Sequence, residues 1–419
     1  MRILYHSAAP WVKTGYGRCT REIAPRLHNK GHDVAIQCMS AVRQDSLNWH
    51  GEQLDYELDS PMTVYETTSS FGLGDVTGHY EDHDADLYFT HFDTWMEKAR
   101  KSIPEFEVPY ASYVIVDHYP VPKAVTDQVQ NAHETIAMSK WAREGLAERG
   151  IRSRYIPHGV HTDQYKPLSD REREELVIQV ETKDGDLKNI NPDETTIFGM
   201  VAANHGDRKN IPAHMEAFKK YIKKNDDEAI LYIHTDPKAR SGFDLERVRK
   251  EIGIPMGNII WSNSEVYQDV GDSYLNKLYN AFDVLMNCSY GESWGLTITE
   301  AQSAGTPAIV SNFSSMPEQL GVEPMSNDAE PTVHNNVLKA PHGVMVEPAI
   351  GVFREKVSAK QFICHPKDIY KAMKWYAERP DVIEEDGEKA REHVKNNYDW
   401  EEDVIPAFDQ LFNGMEAVL

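Results

Sequence analysis

The sequence predicts an α/β protein built from two doubly wound, mostly parallel sheets, and three observations carry that expectation. Its 419 residues are more than one hydrophobic core usually serves. Short, continuously apolar runs alternate with amphipathic stretches, as in repeated β-α-β units. The alternation stops once, at a polar linker, and then begins again.

In the first half, residues 2–5 (RILY), 33–37 (DVAIQ), 86–90 (DLYFT), 113–117 (YVIVD) and 135–138 (TIAM) read as strands buried on both faces, the pattern of parallel strands. Between the first two, residues 18–30 place Ile23, Ala24 and Leu27 at helical spacing, and Gly31 follows as a stop. The linker is 158–176, interrupted by Gly159 and Pro167. Strands resume at 196–202, Ala229–His234, Ile259–Trp261, Val284–Asn287 and Ala308–Ser311, with helices at 212–224, 275–281 and 297–304. Residues 321–342 and 350–365 break the pattern and are expected as long surface loops. The final 400–419 stretch is a helix candidate with periodic Val404, Phe408, Leu411 and Phe412. The expected division is an N-terminal domain over 1–168, a C-terminal domain over 169–395, and a last segment, 396–419, crossing back to the first.

Composition excludes several classes of function. With 44 Lys+Arg against 67 Asp+Glu the formal charge is −23, which lacks the basic field a nucleic-acid partner requires. The 40% hydrophobic and 26% charged content is that of an ordinary globular chain. Cys19, Cys38, Cys288 and Cys364 form no Cys-x-x-Cys pair, so neither a disulfide framework nor a thiolate zinc site is expected. The N-terminal residues lack a signal-peptide pattern, and no run approaches the ~20 apolar residues that span a bilayer. A cytoplasmic location is expected, with a peripheral membrane contact left open.

The most informative run is 287–310, NCSYGESWGLTITEAQSAGTPAIV. A strand ends at Cys288, a Gly-containing loop follows, and a helix opens near Leu296. Backbone N–H groups at Gly295, Leu296 and Thr297 would point out of that helix start, where unpaired donors and the helix dipole suit a phosphate. Glu292 lies before the start and Glu300 inside it, eight positions apart, so two carboxylates could accept sugar hydroxyls on either side of an anion. On spacing alone it is equally open that Glu292 caps the helix and Glu300 faces solvent.

This run resembles the donor site of the family 4 glycosyltransferases, retaining enzymes of the GT-B fold. Their Glu-x7-Glu with an aromatic-Gly-Leu inside it is matched by Glu292, Trp294, Gly295, Leu296 and Glu300, and their small-Gly-x-Pro by Ala304, Gly305, Thr306 and Pro307. The resemblance extends over most of the chain, from Arg2 to Tyr398-Asp399-Trp400-Glu401. It implies two Rossmann-like domains facing each other across a cleft, with acceptor in the first and a nucleotide diphosphate sugar in the second. The first glutamate would contact the donor sugar and the second the nucleotide ribose. In Asp207-Arg208-Lys209-Asn210, Lys209 matches the family lysine of a diphosphate clamp; the family arginine falls on Asn204, so either Arg208 substitutes for it or the clamp has one member. Gly15-Tyr16-Gly17 matches a family Gly-rich loop that touches the donor phosphate, though in shorter form. A tight turn alone would also explain it.

The resemblance bears on four further segments. His118, in Val116-Asp117-His118-Tyr119-Pro120, is a candidate for orienting the donor sugar or moving a proton, where the family carries His-Asp. Ser139 and Lys140 resemble a family serine with a basic neighbour, although helix capping also accounts for Ser139. His158-Gly159-Val160-His161 resembles the family Asn-Gly-Val-Asp hinge. Asp82-His83-Asp84 looks like a solvated acidic loop, and no metal site is expected anywhere. The implied activity is sugar transfer with retention from a nucleotide diphosphate sugar to a small-molecule, glycan or lipid-linked acceptor, with no cofactor required. A sugar-nucleotide 2-epimerase and a catalytically degenerate sugar-nucleotide binding module are the alternatives. The sequence leaves the donor sugar, base, acceptor and oligomeric state open. The basic strip Lys219, Lys220, Lys223 and Lys224 reads as a solvated helix face.

Overall fold

The structure, a computed structural model, describes residues 1–39, 47–52, 54, 56–93, 108–176, 178–181, 186–192, 194–225, 228–262, 270–322 and 337–417. The chain divides into two compact units. The first is Met1–Gly159 with Glu355–Ala359 and Trp400–Leu419, and the second is Val160–Arg354 with Lys360–Asp399.

The first unit holds a sheet of strands β1 (Arg2–Ser7), β2 (Asp33–Cys38), β3 (Leu47–Trp49), β4 (Met62–Tyr65), β5 (Leu87–Thr90), β6 (Tyr110–Val114), β7 (Glu134–Ala137) and β8 (Arg154–Tyr155). Their spatial order is β3-β4-β2-β1-β5-β6-β7-β8, parallel throughout except for β3 against β4. β1 pairs with β2 on one side and β5 on the other, and from Ile3 to Ser7 every residue is buried, the pattern of a sheet covered on both faces. The run expected at 113–117 pairs instead over Tyr110–Val114. Its apolar residues mark burial rather than the ladder, and Val116 is buried in the loop beyond the strand.

The helix expected to start at Arg18 spans Gly15–Asn29, so both glycines lie in its first turn, and the Thr14 hydroxyl accepts from Gly17 N at 3.2 Å. The last segment turns through Trp400–Val404 into a helix over Ile405–Glu416, whose Phe408 and Phe412 rings lie 6.0 and 5.1 Å from Phe89.

The second unit opens with a small antiparallel pair, β9 (Ile178–Glu181) and β10 (Leu187–Ile190). Its main sheet comprises β11 (Thr196–Val201), β12 (Ala229–His234), β13 (Ile259–Trp261), β14 (Val284–Asn287), β15 (Ala308–Ser311), β16 (Val337–Ala340) and β17 (Gly343–Val346), in the order β13-β12-β11-β14-β15-β17-β16. Strand order reverses between β11 and β14, which makes their carboxyl ends the switch point where doubly wound sheets bind ligands.

Two expected loops need correction. The described part of 321–342 contains β16, antiparallel to β17, while 323–336 lies outside the described residues. Segment 350–365 is a two-stranded sheet of β18 (Pro348–Arg354) and β19 (Ala359–Cys364). β18 exposes Ile350 and Phe353, so it lacks the continuous burial by which the other strands were recognised.

Candidate functional site

The loops leaving β11 and β14 are laced together. Asn210 caps the helix Ile211–Lys224 in a left-handed conformation (φ 55°), and its side-chain amide donates to Cys288 O at 3.1 Å. His214 bridges the same segments: Nδ1–H donates to Asn210 O at 2.9 Å while Nε2 accepts from Cys288 N at 3.1 Å. Tyr290 N donates to Arg208 O at 2.8 Å. The expected Asp207-Arg208-Lys209 turn is thereby held beside the start of the Tyr290-Gly291-Glu292 loop.

Glu292 stands between the two cations. Arg208 Nη1 donates to Glu292 Oε2 at 2.7 Å and to Gly291 O at 2.7 Å, and Lys209 Nζ reaches Glu292 Oε1 at 2.5 Å. Burial opposes the carboxylate charge, but the charges and hydrogen bonds of Arg208 and Lys209 outweigh it and hold the carboxyl down to about 2. The Glu292 backbone is fixed from the loop after β15: its N donates to Ser314 Oγ at 3.0 Å, and Ser315 Oγ donates to Glu292 O at 2.9 Å and to Trp294 O at 2.6 Å. Glu292 therefore does not cap the helix.

That helix, Leu296–Ser303, is preceded by Gly295 at φ 106°, a conformation that favours glycine, and Gly295 has no side chain with which to cap it. Gly295 is the cap residue and Leu296 and Thr297 open the helix, and backbone N–H groups at such a start suit an anion. Glu300 lies one turn further in, only 3% exposed, and accepts from Tyr279 O–H at 2.6 Å. It does not face solvent. The two glutamates thus sit in different settings, one on a pair of cations and the other against a phenol.

Asn204, at the position of the family arginine, is a brace. Its amide N donates to Asp236 O at 3.0 Å and Phe243 O at 2.8 Å, and its amide O accepts from Phe243 N at 2.9 Å. A Cβ at Gly242 would stand 2.1 Å from Asn204 Oδ1, so the loop closes tightly on this side chain.

The sequence reading missed Arg354. At the end of β18 it forms a two-point ion pair with Asp207, both N–O distances 3.0 Å, and lies 5.2 Å from the Tyr290 ring centre. Ser314, Ser315 and Tyr279 were missed as well. The only signal for them was position after β15 and in the helix Asp272–Asn280, which carries no chemistry by itself.

In the first unit, Gly17 serves its own chain: a Cβ there would stand 2.0 Å from Val12 O and 2.9 Å from Ala9 O. Gly15 is exposed at the helix start. His118 Nδ1 is 2.5 Å from Asp117 Oδ1, in the loop beyond β6. Ser139 Oγ accepts from Ala142 N at 3.0 Å and so caps the helix Lys140–Glu148. In the acidic loop, Asp82 accepts from Tyr65 O–H at 2.7 Å and Asp84 pairs with Arg2. The lysine strip is tied down in the second unit: Lys219 Nζ donates to Gly253 O at 2.6 Å, and Lys220 lies 4.8 Å from the Tyr370 ring centre.

Residues 184–323, which hold Arg208, Lys209, Glu292 and Glu300, match the family model described as glycosyl transferases group 1. No curated protein matches the chain. Among solved structures, the sucrose-phosphate synthase from Thermosynechococcus elongatus superposes with a TM-score of 0.71 at 15% identity, covering 100% of both chains. HepE from Anabaena, solved in complex with UDP and glucose, gives 0.65 at 14% identity over 100% of both chains. A glycosyltransferase from Rickettsia africae gives 0.64 at 17% identity, covering 99% of this chain and 97% of its own. The fold is therefore GT-B, with two Rossmann-like sheets. Together, the family match over 184–323 and the fold point to a glycosyltransferase.

Proposed function

We propose that the chain is a retaining glycosyltransferase resembling family 4, moving a sugar from a nucleotide diphosphate sugar to an acceptor. The observation that carries this reading is Glu292 held between Arg208 and Lys209 at the carboxyl ends of β11 and β14. Before donor arrives, the carboxylate is the counter-ion of the two cations. A diphosphate is the stronger bidentate partner for a guanidinium and an ammonium. Its arrival would turn both cations to phosphate and release the carboxylate to accept hydroxyl groups of the sugar. As the anomeric bond breaks, charge builds on the leaving diphosphate, and Arg208, Lys209 and the helix start at Gly295, Leu296 and Thr297 would stabilise it. The acceptor would then attack from the face the leaving group vacates, its proton passing to the departing oxygen.

Glu300 is assigned to the nucleotide ribose, oriented by Tyr279. His118, with Nδ1 on Asp117, is assigned to the donor sugar. Gly15 is assigned to the donor phosphate, with Gly17 letting the chain turn tightly behind it, and the 1–168 domain to the acceptor, the 169–395 domain holding the donor. No metal or cofactor enters these steps. HepE was solved with UDP, and a similar structure from E. coli was solved with UDP-2-fluoro glucose, so UDP-sugars are the first donors to test. The sugar acceptor stays unspecified: small molecule, glycan or lipid-linked.

The test is to incubate the protein with a set of nucleotide sugars, with and without acceptors, and follow the products by NMR. An α-linked product from an α-linked donor supports the reading, and inversion at the anomeric carbon contradicts it. An epimerised donor formed without acceptor would favour the 2-epimerase. Asn204 is committed to bracing, so the clamp has no arginine at the family position; that favours a degenerate binding module as the second reading. Donor binding without turnover of any acceptor would establish it.

A further inference from the structure

Three potential metal ligands that play no part in the sugar-transfer reading meet inside the first unit. Cys19 lies in the second turn of the helix Gly15–Asn29, His91 follows β5, and His158 lies near the end of the unit's main stretch. They are 1%, 2% and 5% exposed, and the sulfur and one nitrogen of each ring lie within 4.8 Å of one another. Cys19 Sγ is 3.6 Å from His158 Nε2 and 3.7 Å from His158 Nδ1. In a tetrahedral zinc site, with Zn–S about 2.3 Å and Zn–N about 2.0–2.1 Å, sulfur and nitrogen ligands are separated by roughly 3.5 Å.

The hydrogen bonds on the rings decide which nitrogens could ligate. Tyr5 O–H lies 3.2 Å from His91 Nδ1, and Tyr113 O–H lies 3.0 Å from His158 Nδ1. The Tyr113 hydroxyl proton goes to Ile156 O at 3.1 Å, so this phenol accepts from His158 Nδ1–H and the lone pair of His158 is on Nε2. A partner on one nitrogen that fixes the ring and leaves the other for an ion is the usual outer shell of a metal-binding histidine. The sulfur is nearly equidistant from the two His158 nitrogens, so loading would turn that ring to aim Nε2.

We propose that Cys19, His91 and His158 form a buried binding site for a soft, thiol-preferring cation, Zn²⁺ or Cu⁺, ligated by Sγ and the two Nε2 atoms. Binding forms the metal–sulfur bond as the thiol proton leaves to solvent, so uptake releases one proton and changes no oxidation state. The site would stabilise the first unit. It departs from the sequence reading, which expected no metal because the cysteines form no Cys-x-x-Cys pair and Asp82-His83-Asp84 reads as a solvated loop.

The test uses the full chain, expressed with added zinc or with added copper under reducing conditions, desalted, and assayed for metal per chain by mass spectrometry. X-ray absorption on the wild-type protein then reads the ligand set. The expectation is stoichiometric zinc or copper with one sulfur and two imidazole nitrogens, and a higher melting temperature than the metal-free protein. Cys19→Ser should lose the ion and Cys38→Ser should keep it. Wild-type protein that retains neither ion, a shell without sulfur, or full retention by Cys19→Ser would each overturn the proposal. The absorption measurement decides the matter even if a variant fails to fold.

Discussion

At the residue scale, the account rests on one carboxylate and two cations. Removing a group that acts on developing transition-state charge typically costs about 10²–10³ in rate. Glu292→Ala and Lys209→Ala should each lower kcat/KM by about that factor, with the far-ultraviolet spectrum unchanged. A loss of less than about tenfold in Lys209→Ala would show that the ammonium does not hold the donor. Asn204 predicts the opposite kind of effect. Restoring the family residue by Asn204→Arg should not raise activity; it should lower stability by about 2–4 kcal/mol, because it removes three part-buried hydrogen bonds and overfills the loop closed by Gly242. A thermal melt reads this directly, and an active, stable Asn204→Arg protein would refute the bracing role.

At the scale of elements, the turn before Leu296–Ser303 is the sensitive piece. Gly295→Ala puts a side chain at φ 106° and a Cβ 3.0 Å from Ile298 Cδ1, which should cost about 1–2 kcal/mol and weaken donor binding together. Gly17→Ala meets backbone oxygens rather than a movable side chain, so it should lower the melting temperature further than Gly295→Ala does. Measuring both melts checks the order.

The same elements show what could be read in advance. Strands with continuous burial, such as Ala229–His234 and Ala308–Ser311, were legible to the residue because sheets covered on both faces leave an uninterrupted apolar record. β16 and β18 were not, since they are partly exposed and carry polar residues. Glu292 and Lys209 were placed in loops after recognisable strands, and the motif resemblance singled them out from their neighbours. Arg354 was not, because its partner Asp207 is 147 positions away and the strand that delivers it has no apolar signature. The Cys19, His91 and His158 cluster stayed hidden for the same reason of distance in sequence.

At the scale of the whole molecule, several histidines are folded in the neutral state. His6 donates through Nε2–H to Phe71 O at 2.8 Å and accepts at Nδ1 from Tyr88 O–H at 2.6 Å, and His214 is held in a similar two-sided way. Burial lowers both to about 4, against 6.5 for the unfolded chain. A depressed value means that the unfolded state binds the proton first. The stabilisation is therefore complete above about pH 6.5 and is lost as pH falls towards 4. Each buried histidine is worth on the order of 3 kcal/mol over that window, so the melting temperature should fall steeply through it. Glu292, held to about 2, adds loss only below the ordinary carboxylate value of 4.5. A melting temperature that stays level from neutral pH to about 4.5 would contradict the neutral histidine cores.

The central claim is that the loops after β11 and β14 grip a nucleoside diphosphate. Calorimetric titration of UDP, GDP and ADP into wild-type protein and Lys209→Ala tests it most directly. The account predicts saturable binding of at least one nucleotide by the wild type, weakened about tenfold or more, or roughly 1.4 kcal/mol, in Lys209→Ala. Equal binding by the two proteins, or no binding of any of the three nucleotides to the wild type, would contradict it.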